Sequence, residues 1–179
     1  MRKILFAFVM IHVIFGSGMG EEKKSVEAPR NGVFKKYWAN GNVMLEADYK
    51  DDRPYSYLKE YDDDGTPMMI DTYEAGVKVS KKKYYKNGNL RTEVYFKDYK
   101  RNGLAKFYYE NGKTRIEANY KDDKKDGLEK KYYADGTILA IATYKDGVKL
   151  EGKKYDKTGK EIPETPDRCG VEDCTCELE

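Results

Sequence analysis

The sequence predicts an all-β repeat protein: an open antiparallel β-hairpin meander, elongated, twisted and one layer thick. Three observations carry this. Glycine corners recur at Asn40-Gly41, Asp64-Gly65, Asn87-Gly88, Asn111-Gly112, Asp135-Gly136 and Thr158-Gly159, at intervals of 23 or 24 residues. A fixed period of that size marks a repeat architecture. Five of the six corners are Asn-Gly or Asp-Gly, which supply the positive φ that a tight hairpin turn needs. The segments after each corner alternate apolar and polar, as half-buried strands do.

Counting outward from each turn glycine gives the elements. Four residues before it stand Tyr37, Tyr61, Tyr84, Tyr108, Tyr132 and Tyr155, and six before it stand Lys35, Lys59, Lys82, Lys106, Lys130 and Lys153. Eight after it stand Tyr49, Tyr73, Phe96, Tyr120 and Tyr144. After the first turn, Val43, Leu45, Ala47 and Tyr49 read as one face, with Met44, Glu46 and Asp48 on the other. The second repeat departs from this pattern. Pro67 and Asp71 fall on its apolar face, and Pro67 cannot donate a ladder hydrogen bond, so that strand should start late or be distorted.

The strands then end in polar connections, at Lys50 to Pro54, Glu74 to Val77, Lys97 to Gly103, Lys121 to Gly127 and Lys145 to Gly147. Two strands of about seven residues, a turn and a loop of about five fill the period and leave no crossover helix. Ten to twelve strands are expected, about 50 Å of sheet at ~4.8 Å per strand.

Two turn geometries compete. A two-residue turn sets Lys35 opposite Glu46, Lys82 opposite Glu93 and Lys106 opposite Glu117, a favourable charge match. A three-residue turn with the glycine in a bulge instead puts the six tyrosines on the apolar face, with Val33, Tyr57, Leu104 and Leu128. Burying more apolar area favours the bulged turn.

Four segments organise the chain. Residues 1–20 read as a cleaved secretory signal: Met1-Arg2-Lys3 is basic, Ile4 to Phe15 is apolar apart from His12, and Gly16 to Gly20 supplies small residues. A membrane anchor is the alternative, but that run falls short of the ~20 residues that span a bilayer. Residues 21–30 form a linker, 31–162 the domain of about six repeats, and 163–179 an acidic tail.

Losing Arg2 and Lys3 takes the chain from 34 basic and 32 acidic residues to 32 of each. A neutral balance does not support nucleic-acid binding. His12 is the sole histidine, so an exported product has no imidazole for general-base, nucleophilic or metal chemistry. No catalytic residue, metal site or cofactor is expected. Leu, Ile, Val and Phe make up about 15% of what remains, below the ~20% that suggests disorder. The 17 tyrosines, all after the signal, supply ring area instead.

The segments Lys-Lys-Tyr-Trp-Ala-Asn-Gly (35–41), Lys-Phe-Tyr-Tyr-Glu-Asn-Gly (106–112) and Lys-Lys-Tyr-Tyr-Ala-Asp-Gly (130–136) resemble the bacterial variant of the MORN repeat. That variant is common in proteins labelled YwqK-type antitoxins. The resemblance covers about residues 31 to 162. It implies a chain of β-hairpins that acts as a binding or scaffolding surface, and its label implies a neutralising partner for a toxin.

Three features are candidate sites. The lysine column reads as a strip for a polyanion, glycan or lipid headgroups, or as stems that cover rings while their ammonium groups meet glutamates. Trp38, Tyr85, Tyr109 and Tyr133 read as an exposed stripe for a protein or sugar, or as rings packed on one another across strands. Cys169, Cys174 and Cys176 suggest one disulfide, Cys169–Cys174 or Cys169–Cys176, and a thiol left for an intermolecular bond. The expected function is an exported, non-catalytic module binding a protein or glycan at the cell envelope. Peripheral attachment to anionic membrane is the alternative.

Overall fold

The computed structural model describes residues 30–163. The expected signal at 1–20, most of the linker and the three cysteines lie outside the described residues. Those described form one open antiparallel sheet of 13 strands, without a helix. They are β1 (Gly32–Tyr37), β2 (Val43–Lys50), β3 (Arg53–Tyr61), β4 (Pro67–Glu74), β5 (Val77–Tyr84), β6 (Leu90–Lys97) and β7 (Lys100–Arg101). There follow β8 (Gly103–Tyr108), β9 (Thr114–Lys121), β10 (Lys124–Tyr132), β11 (Ile138–Lys145), β12 (Val148–Tyr155) and β13 (Glu161–Ile162). Strands pair in chain order; β7 is a short extension that pairs with β6 beside β8. The expected meander is the observed fold.

The glycine corners are three-residue turns. Trp38 accepts from the Gly41 N–H at 2.9 Å and donates its own N–H to the Asn42 carbonyl at 2.8 Å. Gly41 closes the turn at φ 88°, the left-handed position of a bulge that only glycine occupies without strain. At five of the six corners the residue before the glycine caps the turn: Asn40, Asn87 and Asn111, for example, accept from the backbone N–H two residues on, at 3.0, 2.9 and 3.0 Å.

The opposite edge corrects the expectation of longer polar loops. Lys50 pairs with Arg53, Glu74 with Val77, Lys97 with Lys100, Lys121 with Lys124 and Lys145 with Val148. Only two residues lie between partners, and both have positive φ, for example Asp51 at 49° and Asp52 at 63°. These are the mirror-image turns that match the twist of paired strands. Asp-Asp, Ala-Gly, Asp-Tyr and Asp-Gly carry them here, so the signal was present but less conspicuous than Asn-Gly.

The residues that fill out the period sit inside strands as bulges. In β3, Tyr55, Ser56 and Tyr57 lie between the partners of Tyr49 and Ala47, opposite Asp48 alone. In β10, residues 126–128 lie opposite Asn119 alone. In β5 only Val79 is extra, between the partners of Tyr73 and Thr72, and in β12 only Leu150. The larger bulges fall in 24-residue intervals and the smaller in 23-residue ones, so bulge size accounts for the uneven period.

A second irregularity reconciles the two turn geometries. Tyr37 pairs with Val43, but Lys36 pairs with Leu45 and Lys35 with Glu46. The three-residue turn moves the register by one, and the extra Met44 moves it back. The same shift follows the turns at Gly65, Gly88, Gly112 and Gly136. It corrects two expectations. Val43 does not share a face with Leu45, and the six tyrosines lie with the lysines rather than with the apolar row. Pro67 also starts β4 at the same place as Val43 starts β2, so the second repeat does not begin late; the first position of a strand tolerates proline.

The row opposite the lysines holds the thin core. Ala47, Ala105, Ala118 and Ala142 are buried there, with Val94 and the ring of Tyr49. Small side chains suit this row because longer neighbours on the same face close over them. Asp71 and Glu129 occupy it too, each 3% exposed. Lys78 reaches Asp71 at 2.5 Å, and Glu129 is ion-paired with Lys125 and Lys131. Cations also cover the rings eight residues after the turn glycines: Arg30 lies 4.2 Å from the Tyr49 ring centre, Arg101 4.5 Å from Tyr120 and Lys125 4.7 Å from Tyr144. Their stems stand in for a second layer.

Candidate functional site

The six lysines of the column lie in one continuous row across the sheet. From β1 to β12 it reads Lys35, Glu46, Lys59, Ile70, Lys82, Glu93, Lys106, Glu117, Lys130, Ile141, Lys153, each the register partner of the next. Every strand between two lysine strands contributes a glutamate or an isoleucine. Glu46 is held by Lys35 at 2.8 Å and Lys59 at 3.6 Å. Lys82 meets Glu93 and Lys106 meets Glu117, both at 3.2 Å, and Lys153 meets Glu161 at 2.8 Å.

The electrostatics follow. The hydrogen bond from Lys35 holds the Glu46 carboxyl below its usual range. The same kind of bond, to Glu46, Glu93 and Glu117, raises the ammonium pKa of Lys35, Lys82 and Lys106. Charge therefore alternates from Lys35 to Lys59 and from Lys82 to Lys130, and Ile70 and Ile141 interrupt it.

Large apolar side chains flank that row on the same face. Val33 is 61% exposed, Tyr37 58%, Tyr95 45% and Leu128 41%. The face combines exposed rings and aliphatics with an ordered polar seam.

The second aromatic set stands at the loop edge, and its members bind repeat to repeat. Trp38 Nε1 donates to the Tyr61 carbonyl at 3.1 Å. The hydroxyls of Tyr85, Tyr109 and Tyr133 donate to the carbonyls of Tyr108, Tyr132 and Tyr155, at 2.7, 2.6 and 2.9 Å. Each ring forms a rung to the backbone of the following repeat. The turn asparagines add parallel links: Asn40, Asn87 and Asn111 donate to the carbonyls of Asp63, Glu110 and Ala134, at 2.7, 2.9 and 3.0 Å.

The reading of the sequence missed the cations Arg30, Arg101 and Lys125. Each stands eleven residues before a turn glycine, a periodicity that could have found them. Among the described residues, no group of three or more His, Cys, Asp or Glu could hold a metal ion.

Sheet, turns and rungs together define an antiparallel hairpin-repeat protein with non-covalent links between successive repeats. Residues 30–51, 80–98, 101–122 and 125–146 match the family model of the MORN repeat variant. On that evidence the chain carries four repeats of the MORN variant. The turns outside the matched segments, at Gly65 and Gly159, are those where aspartate (Asp62, Asp156) replaces the rung aromatic. No curated protein matches the chain.

Proposed function

We propose that this is an exported, non-catalytic interaction module that binds a protein partner at the cell envelope through its lysine face. The observation that carries this reading is the exposure on that one face of Val33, Tyr37, Tyr95 and Leu128 beside the Lys–Glu row. Exposed apolar surface rimmed by ordered polar groups is the composition of a protein interface. MORN repeats commonly serve as binding modules, which agrees with it. Export rests on the pattern of residues 1–20.

Crosslinking of the native protein in its own cell with a lysine-reactive reagent, followed by mass spectrometry, tests the proposal. One envelope protein should be recovered joined to Lys82, Lys106 or Lys130. Turnover of a defined substrate by the purified protein, with no crosslinked partner, would refute it. A glycan ligand of the same face would appear as glycan binding without crosslinks. Attachment to anionic membrane draws less support, because Glu46, Glu93 and Glu117 stand between the lysines. Salt-sensitive liposome binding lost on Lys82→Glu, Lys106→Glu and Lys130→Glu would restore it. A toxin-neutralising role rests on the resemblance alone, and co-purification with a toxin would be its evidence.

A further inference from the structure

The rungs are missing at one internal position. Four repeats send Trp38, Tyr85, Tyr109 and Tyr133 to the carbonyls of Tyr61, Tyr108, Tyr132 and Tyr155. At the equivalent place in the second repeat stands Asp62, whose carboxylate turns back to accept from the Asp63 N–H at 2.8 Å. No ring of the described residues occupies the rung before Tyr84. A groove of about 430 Å³ opens there, and its lining includes Asp62, Met68, Met69, Tyr84, Lys86 and Arg91. That volume lies in the ~300–1,000 Å³ range of ligand sites.

We propose that this groove takes a tyrosine or tryptophan side chain from an acidic segment of a partner protein, seated where the chain's own rung is absent. The proposal rests on the protein-binding reading above and adds a contact at the turn edge, where Glu60, Met69, Lys81 and Lys83 of the lining point away from the lysine row.

The filled rungs show what the site would offer an incoming ring. Its N–H or O–H has the Tyr84 carbonyl to donate to, as Tyr133 has that of Tyr155. Lys157 lies 5.7 Å from the centre of the Tyr133 ring, and Lys86 stands at the same offset in the third repeat, ready to cover a ring beside Asp62. The correspondence extends to charge: Lys157 helps to lower the pKa of the Asp135 carboxyl, and Lys86 that of Asp64, after the larger contributions from Thr137 and Thr66. Met68 and Met69 add polarisable sulfur contacts that rings favour. Four cations line the groove against the two carboxylates of Glu60 and Asp62. That excess selects acidic residues beside the ring.

The test is fluorescence anisotropy of the intact protein with a labelled peptide, Asp-Glu-Tyr-Glu-Asp, beside versions with phenylalanine or alanine at the centre. The tyrosine peptide should bind, the phenylalanine peptide about tenfold more weakly for want of one hydrogen bond, and the alanine peptide not measurably. Asp62→Tyr, which supplies the missing rung, should abolish binding, and Lys160→Glu, at the exposed and remote last turn, should leave it unchanged. Equal binding of all three peptides, no binding of the tyrosine peptide, or binding that survives Asp62→Tyr would overturn the proposal. Should Asp62→Tyr not fold, amide shifts of the unaltered protein titrated with N-acetyltyrosinamide decide: changes confined to residues around Tyr84 and Lys86 support it, and none there refute it. A partner crosslinked to the lysine face with this groove unoccupied would sink this inference alone.

Discussion

The Tyr109 hydroxyl donates to the Tyr132 carbonyl at 2.6 Å, which ties a side chain of one hairpin to the backbone of the next. A sheet one layer thick has no opposing layer to hold its repeats in place. The rungs, the turn asparagines and the strand pairing do this between neighbours, so stability should be close to a sum over repeats and their interfaces.

Tyr109→Phe keeps the ring and removes its donor. It should cost about 0.5–1.5 kcal/mol, the net worth of a neutral hydrogen bond. Urea denaturation checks this, and Tyr109→Ala should cost more because the ring's packing is lost too. An unchanged midpoint in Tyr109→Phe would show that the rung contributes nothing.

The turn glycines can be probed without steric interference. Nothing lies within 4 Å of a Cβ built on Gly88, whose φ is 82°. Any loss in Gly88→Ala therefore reports backbone strain, about 1–2 kcal/mol for an L-residue in the left-handed region. Gly88→Asn should lose less, because asparagine enters that region more readily. Thermal melts of the two variants should rank in that order.

Stability should fall at both ends of the pH scale. Burial is the chief cause that raises the pKa of Tyr108 and Tyr132 above 10.0, and bonds to glutamate raise Lys35, Lys82 and Lys106 above 10.5. The unfolded chain releases these protons first, so their stabilisation is complete below about pH 10 and is lost as pH rises through the folded values. Glu46, Asp52 and Asp123 are lowered, chiefly by Lys35, by the backbone of Arg30 and by the backbone of Arg101. Their contribution is present above their ordinary values near 4 and is lost as pH falls further. Denaturation midpoints from pH 3 to 11 should give a plateau with two falling limbs.

Much of this architecture was legible in the sequence because the repeat writes it six times over. Gly41 and its equivalents announce the turns; the charge match of Lys35 with Glu46 pointed to the observed register, but apolar burial favoured the competing one. The faces were harder to read, because they depend on two bulges that cancel. The glycine marks the first, but the second is an extra Met44, Arg91 or Arg115, which has no residue-type signature. The rungs were hidden for another reason. Tyr109 reads equally well as a binding residue or a packing residue until the Tyr132 carbonyl is seen beside it. The void at Asp62 was visible only as a departure from pattern, and its lining needed the neighbouring repeat.

The double bulge is tested most directly by cross-strand nuclear Overhauser effects in the third hairpin. The account predicts contacts of Tyr84 with Leu90 and of Lys82 with Glu93 in the same molecule. Lys82 opposite Thr92, the unbroken register of a three-residue turn, would contradict it and dissolve the lysine–glutamate row.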